Sequence, residues 1–383
     1  MEEVFVGEKM DIICNIDLWN QQYGISKSGN TFLSEKMRKC REKRPKVKAE
    51  QKYTVHTSEE NATLQLWIRT SGCTFSKQGS CTMCDYWEGD KLETPHEIVG
   101  KVLSLYKDTY TTLIFETCGS PLDENELTVS EQEAIWKTID SMGFSVVIIE
   151  THALTINEEK LELLRKNIHA LIVIEMGLES SDDDVLLYCL NKHINLDIIT
   201  EKIELVHEYS MKCCVNILLG TPFLSTEDRM NDCINSIRDA LRVGADTCAV
   251  FPVNIKEFTL VKLFYDNGIY NRVLGRELIE VLDAFSEEDL GRINIAWVKE
   301  RHQNNMAYTM EILAPLFCDS CKHAIYSLLN LYVADTDGRN RRELVSQMMN
   351  ISNCCKSHLS NRIKREESSV LTIKRCYEYL QGI

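Results

Sequence analysis

No stretch of the 383 residues is apolar for long enough to cross a membrane, so no spanning helix is expected. Nor does the start resemble a secretory leader: Met1-Glu2-Glu3 is acidic and no long apolar run follows. Positive charge is scarce. Lys and Arg number 43 against 58 Asp and Glu, a net charge of −15, and most of such a chain repels a polyanion. The basic residues that do cluster lie between Lys36 and Lys52, where Arg38, Lys39, Arg41, Lys43, Arg44, Lys46 and Lys48 follow closely. That segment reads either as a solvated helix face or connector, or as an arm that touches nucleic acid. Cysteine, by contrast, is abundant at 16 residues. Thiols without a leader point to a reducing, cytoplasmic setting and to metal binding, not to a disulfide framework. Hydrophobic content of 44% is ordinary for a globular chain, and the length allows one large barrel with a small appendage.

The sequence also lacks a fourth ligand where three are gathered. Cys73, Cys81 and Cys84 are spaced C-x7-C-x2-C in a loop bearing glycine and serine. Leu64, Leu66 and Ile68 alternate just before it, which predicts a strand over 64–69 with the cysteines leaving its C-terminal end. In β/α barrels active sites are built at that end. A cubane of four irons takes four cysteines in a structural role, so three leave one iron open to a small molecule. The two residues between Cys81 and Cys84 let the backbone curl, and Gly79 and Ser80 are expected to make the longer step from Cys73 a flexible arm. Zinc would want a further Cys or His nearby, and between Cys40 and Cys118 only His56 and His96 qualify. An iron–sulfur cluster, a zinc knuckle and buried free thiols are the readings that the residues themselves allow.

From residue 62 strands and helices alternate, the pattern of parallel β/α units. Strands are predicted at 64–69, 111–116, 145–150, 171–176, 213–219 and 247–251, with one more candidate at 292–297. Helices are predicted near 94–109, 129–142, 157–167, 182–190, 196–210, 226–243 and 275–286. Thr94 is expected to cap the first of these, with Pro95 in its first turn. Continuous apolar runs such as Val146 to Ile149 read as strands buried on both faces. The organisation expected is an N-terminal extension over 1–60 with short helices at 17–23 and 34–42, a strand or connector at Tyr53-Thr54-Val55, an α/β core over 61–300, and a cysteine-containing region over 301–383.

The Cys81-Thr82-Met83-Cys84 pair, with an apolar residue before its last cysteine, resembles the cluster loop of radical S-adenosylmethionine (SAM) enzymes. The long first spacing is similar to the branch that holds the Elongator radical subunit and the archaeosine-forming radical enzyme. Further stretches fit the archaeosine branch: Arg69 to Cys73, Gly79 to Tyr86, Gly177-Leu178-Glu179-Ser180 with Asn191-Lys192, and Phe251 to Asn254 followed by Thr259-Leu260-Val261. The chain departs from that branch at Thr117-Cys118 before Gly119-Ser120, where the pattern has Asn-Ser, and at His152, where it has arginine. The resemblance implies a partial (β/α)6 barrel of the TIM type, a 4Fe–4S cluster on Cys73, Cys81 and Cys84, and reductive cleavage of SAM to a 5′-deoxyadenosyl radical that abstracts hydrogen. It implies C–N bond cleavage in a tRNA deazaguanine, reached through a partner protein; the acidic charge and the two departures make modification of a small molecule or peptide the rival reading. It also implies an electron donor such as ferredoxin or flavodoxin.

The same resemblance implies cofactor contacts. Gly119 and Ser120 stand in the place of the glycine-rich motif at the methionine amino group, and Tyr86 closes the matching cysteine stretch. Glu150 ends a predicted strand and reads either as a ligand for ribose hydroxyls or an ammonium, or as a surface carboxylate. Glu179 follows another strand end. Asn216 is an inward candidate, a ligand or a satisfied core amide. Glu175, if it points inward, needs a partner such as His152 or Arg69. Cys118 is either a hydrogen-atom donor to a substrate radical or an inert packed thiol. Cys318 and Cys321, with Cys354 and Cys355, are candidates for an auxiliary metal, zinc or a second cluster, against the alternative of buried thiols.

Overall fold

The structure is a computed structural model and describes residues 16–26, 29–43, 52–86, 89, 91–297, 311–352 and 369–383. One sheet dominates. It contains β1 (Tyr53–Ser58), β2 (Thr63–Ile68), β3 (Thr112–Glu116), β4 (Val146–Thr151), β5 (Leu171–Glu179), β6 (Lys212–Leu219), β7 (Thr247–Pro252) and β8 (Ile293–Ile295), side by side in chain order. Strands β2 to β8 run parallel, and β1 pairs antiparallel with β2. The architecture is an open, curled α/β half-barrel. Its six central parallel strands are the expected ones. The candidate at 292–297 joins them as the short β8, and Tyr53-Thr54-Val55 proves to be the start of β1. A tight turn with Ala62 at φ 48° folds β1 back on β2.

Alternation decides which face each side chain takes. Leu64, Leu66 and Ile68 of β2, Leu113 and Phe115 of β3, and Val147 and Ile149 of β4 are buried against the helices. Gln65, Trp67, Glu116 and Glu150 take the other, concave face. Here one expectation fails: Val146 and Ile148 are only half-buried, because the barrel is open and its concave side is not filled. Strand β6 does behave as a strand covered on both sides, with Cys213 to Leu219 buried throughout.

Two helices precede the sheet, α1 (Ile16–Tyr23) and α2 (Thr31–Glu42). The crossover helices are α3 (Pro95–Ser104), α4 (Val129–Asp140), α5 (Glu158–Asn167), α6 (Leu196–Glu208) and α7 (Thr226–Arg242). Their starts follow local chemistry. Thr128 and Glu131 form a capping box for α4, and Asn157, Asn195 and Ser225 each accept a backbone N–H at the next three. Thr94 makes no such side-chain bond; Pro95 in the first turn of α3 lacks an N–H of its own. The segment expected as a helix over 182–190 is instead a π-helical turn, Val185–Leu190, closed by Asn191 in the left-handed region at φ 52°. Such turns recur at functional sites, and this one bears on the cysteine loop. After β7 come α8 (Leu260–Asp266), α9 (Gly275–Asp283), α10 (Lys322–Ala334), α11 (Arg341–Ile351) and α12 (Ser369–Gln381). Tyr377 of α12 accepts a bond from Asn30 at 2.6 Å and donates to the Tyr188 carbonyl at 2.8 Å, so the end of the chain clasps its beginning to the π turn. Among the described residues no helix is long and apolar enough to cross a membrane.

Candidate active site

The three cysteines sit on a folded loop, not on a loose arm. Cys73 caps the short helical turn Thr74–Lys77, its sulfur accepting the Ser76 N–H at 3.5 Å. Its own N–H donates to the Tyr86 carbonyl at 2.7 Å, closing the loop at its base. Gly79, expected as a flexible joint, is fixed at φ 93°, and a Cβ there would lie 2.6 Å from the Ser34 backbone. At the far end Cys84 N–H donates to the Cys81 carbonyl at 3.0 Å, and the Cys84 sulfur accepts the Tyr86 N–H at 3.5 Å. Thr82 docks the loop on the π turn through the carbonyls of Leu190 (3.1 Å) and Cys189 (2.7 Å). Burial pushes the Cys81 thiol up to about 12, and burial followed by the charge of Cys84 raises Cys73. These are thiols gathered close enough to resist losing their protons together, unless a positive centre takes the charge.

The largest feature that sequence reasoning missed is Arg41. It belongs to the basic run, yet it is 2% exposed. Its guanidinium reaches from α2 under the loop and donates to the carbonyls of Ser76, Ser80 (2.9 Å), Cys81 (3.4 Å) and Cys84 (3.1 Å). Lys36 of the same run is also buried, with its ammonium 5.2 Å from the centre of the Phe32 ring. These two residues therefore form neither a solvated face nor a nucleic-acid arm. Residues 44–51 lie outside the described residues.

Strand ends supply the rest. Gly119 lies against the loop: a Cβ there would meet the Cys73 sulfur at 2.6 Å. Its N–H and that of Ser120 both donate to Glu126, at 3.2 and 2.9 Å, and Thr70 donates to the same carboxylate. Those two N–H groups are thus already engaged. Glu126 has no sequence signature beyond being one of several acids in a turn. Glu179 sits at a β5 bulge with φ 74° and pairs with Lys192 at 2.7 Å. Burial opposes the Lys192 charge, but Glu179 and the nearby thiols outweigh it and raise its pKa. Tyr86 is partly exposed, stacks on Trp67 at 6.2 Å and holds the Lys256 ammonium 4.1 Å from its ring centre. Lys256 in turn pairs with Asp85 at 3.1 Å and Glu311 at 3.6 Å. His152 stacks on Phe75 at 3.6 Å, and burial holds its pKa well below the ordinary value. Cys118 is 4% exposed and its thiol donates to the Thr70 carbonyl at 3.8 Å, the setting of a packed thiol.

On the concave face a row of acids crosses three strands. Glu150 is in register with Glu175, and Phe115 with Ile149, which brings Glu116 beside Glu150. Gln65 donates to Glu116, Glu116 and Glu150 share a hydrogen bond, and Asn216 bonds Glu175, the partner that Glu175 required. Burial, then the charge of Glu150, pushes Glu175 up to about 8 from an ordinary 4.5; burial also raises Glu116 to about 7. The folded chain therefore holds protons here that the unfolded chain releases. This contribution is full below about pH 4.5 and is lost as pH rises through 7 to 8. We predict that the ligand-free protein melts at a lower temperature at pH 8.5 than at pH 6, and that Glu175→Gln flattens this slope. Melting curves across that interval with no such change would count against the burial assigned to the row.

Residues 67–233 match the family model described as the radical SAM superfamily. The chain carries a radical SAM domain. Among curated proteins it is 26% identical over 231 residues to an uncharacterized protein of Methanocaldococcus jannaschii, covering 57% of this chain and 63% of that one. It is 28% identical over 235 residues to the archaeosine synthase subunit beta of Methanosarcina acetivorans, covering 58% and 66%. The matches thus span just under two thirds of the length of these relatives. Among solved structures, methylornithine synthase superposes with a TM-score of 0.47 at 14% identity, over 86% of this chain and 91% of that one.

A radical SAM domain marks an enzyme and implies a 4Fe–4S cluster and SAM, and the residues present fit the cluster. Three thiols stand on one loop. Gly119 packs directly against Cys73, where any Cβ would clash with the sulfur, and Arg41 supplies positive charge beneath. Among the described residues no three Cys, His, Asp or Glu side chains are grouped around a single point. A cubane asks instead for thiolates on separate irons. The C-terminal pair is less developed. The Cys318 and Cys321 sulfurs lie 3.3 Å apart and buried, and Cys354 and Cys355 lie outside the described residues.

Proposed function

We propose that this chain is a radical SAM enzyme that holds a 4Fe–4S cluster on Cys73, Cys81 and Cys84 and cleaves SAM reductively. On this reading it completes a modified deazaguanine base in tRNA by breaking a C–N bond. The observation that carries the cofactor reading is the loop of three thiols, with no fourth on that loop, tied down by Arg41 and Thr82. The name of the Methanosarcina relative supports the substrate. When bound, the cluster supplies the electron that opens the sulfonium bond of SAM.

The chain's own residues bind and orient. Arg41 fixes the loop carbonyls, so the three sulfurs are presented by a preorganised backbone. Glu126 fixes the Gly119-Ser120 turn against Cys73 and takes up its N–H groups, so the methionine carboxylate must find other donors. The Lys192 ammonium, held by Glu179 next to Cys81, is the cation best placed to offset negative charge there. We assign Glu179 and Tyr86 to the cofactor side, and Cys118 to packing. A ferredoxin or flavodoxin would deliver the electron in the cytoplasm. The net charge of −15 and the burial of Arg41 and Lys36 favour delivery of RNA by a basic partner subunit. They equally favour a second reading, a small-molecule or peptide substrate.

Anaerobic reconstitution followed by assay with SAM and a reductant tests the proposal. Methionine and 5′-deoxyadenosine should form, and deazaguanine-bearing tRNA presented with a partner subunit should raise the rate. Formation of neither product would reject the cofactor reading, and product formation indifferent to such tRNA would reject the substrate.

A further inference from the structure

We propose that Glu116, Glu150, Glu175 and Asn216 form a receptor for a cationic, hydrogen-bond-donating group of the substrate, an ammonium or guanidinium, set on the concave face beneath the cysteine loop. This deepens the reading above and rests on it for the identity of that face as the place of reaction.

The placement comes from the register. Glu116, Glu150 and Glu175 stand abreast on three neighbouring strands, and strands lie roughly 4.8 Å apart. Glu116 precedes Gly119 by three residues and Glu175 precedes Glu179 by four, so at a rise of roughly 3.3 Å per residue the row lies ~10–13 Å below the turns that face the cysteines. The row therefore lies below the turns that face the cysteines, with Asn216 opposite Gly177 one step nearer to them, and in this proposal Glu150 and Asn216 serve the substrate.

The chemistry comes from what the site offers. Three carboxylates provide only acceptors when ionised. Asn216 is 4% exposed; it bonds Glu175, and its Oδ1 has no hydrogen-bond partner among the described residues. A buried amide oxygen without a donor is costly, and here it opens on the same concave face. The nearby cations are committed elsewhere: Lys256 to Asp85 and Glu311, Lys192 to Glu179. None of the three acids makes an ion pair with Lys or Arg among the described residues. Lys256 favours the charged forms of Glu116 and Glu150, but burial outweighs it and, with repulsion between the acids, keeps protons on the row. A positively charged group bearing several N–H donors would displace those protons and satisfy the amide oxygen at once. An anion would be repelled, and a neutral group would leave the row as it is.

Putrescine and its neutral diol analogue, butanediol, separate these cases. Each would be titrated at matched ionic strength into the full reconstituted chain saturated with SAM, following calorimetric binding and melting temperature. Putrescine should bind saturably, release protons on binding and raise the melting temperature, and butanediol should do none of these. Glu150→Gln and Glu175→Gln should each weaken putrescine roughly tenfold or more. The ligand-free variants should melt at or above the parent temperature, because a neutral amide replaces a buried acid. Absence of saturable putrescine binding, equal binding of butanediol, or affinity unchanged in both variants would overturn the receptor. So would binding that SAM abolishes, which would return the acids to the cofactor. SAM cleavage is scored separately, so failure here leaves the cofactor reading standing, and the converse also holds.

Discussion

Arg41→Ala should leave a protein that no longer retains iron on reconstitution and that is less stable by about 3 kcal/mol or more. The guanidinium is 2% exposed and donates to four carbonyls of one loop. Without it those acceptors stay buried with fewer donors, and each unsatisfied one costs about 1–3 kcal/mol. The loop then loses the geometry that brings three sulfurs together. Arg41→Lys should recover part of the stability and little of the iron, since one ammonium cannot fan out to four carbonyls as a planar guanidinium does. Iron per chain and thermal melts, measured in parallel, check this. An alanine variant with full iron content would mean that the cysteines order the loop by themselves.

Cys81→Ala should reduce 5′-deoxyadenosine formation to background while the fold survives. Its sulfur is one of only three on the loop, so its loss leaves two thiolates for a centre that needs three. The side chain is small and removing it should cost on the order of 1 kcal/mol, so lost activity would not reflect unfolding. Cys118→Ala is the matched control. That thiol is buried against the Thr70 carbonyl, and its removal should leave product formation close to the parent level. Substantial cleavage by the Cys81 variant would remove the role given to the loop. Loss of cleavage in the Cys118 variant would restore that residue as a participant.

The strands were legible because alternation is a local property. Leu64, Leu66 and Ile68 announce a face whatever lies around them, and β2 to β7 fall where the pattern puts them. That three cysteines share one loop at a strand end was legible because their spacing is also local. Arg41 was not, because in sequence it is one positive charge in a run of them, and only the packing of α2 beneath the loop turns it inward. Glu126 is hidden for the same reason among Asp123, Glu124 and Asn125. The acid row needs three strand registers at once. Glu150 could be seen at a strand end, but its alignment with Glu116 and Glu175 is a tertiary fact. The openness of the barrel, which leaves Val146 and Ile148 half-covered, likewise depends on what does not pack there.

The central claim is that three thiolates leave one iron free for SAM, and pulsed magnetic resonance of the reduced, reconstituted protein tests it most directly. With SAM carrying a labelled amino nitrogen, the account predicts a hyperfine coupling from that nitrogen to the cluster, together with a changed cluster signal. A signal that SAM does not alter, with no coupling and a fourth protein ligand in its place, would contradict it.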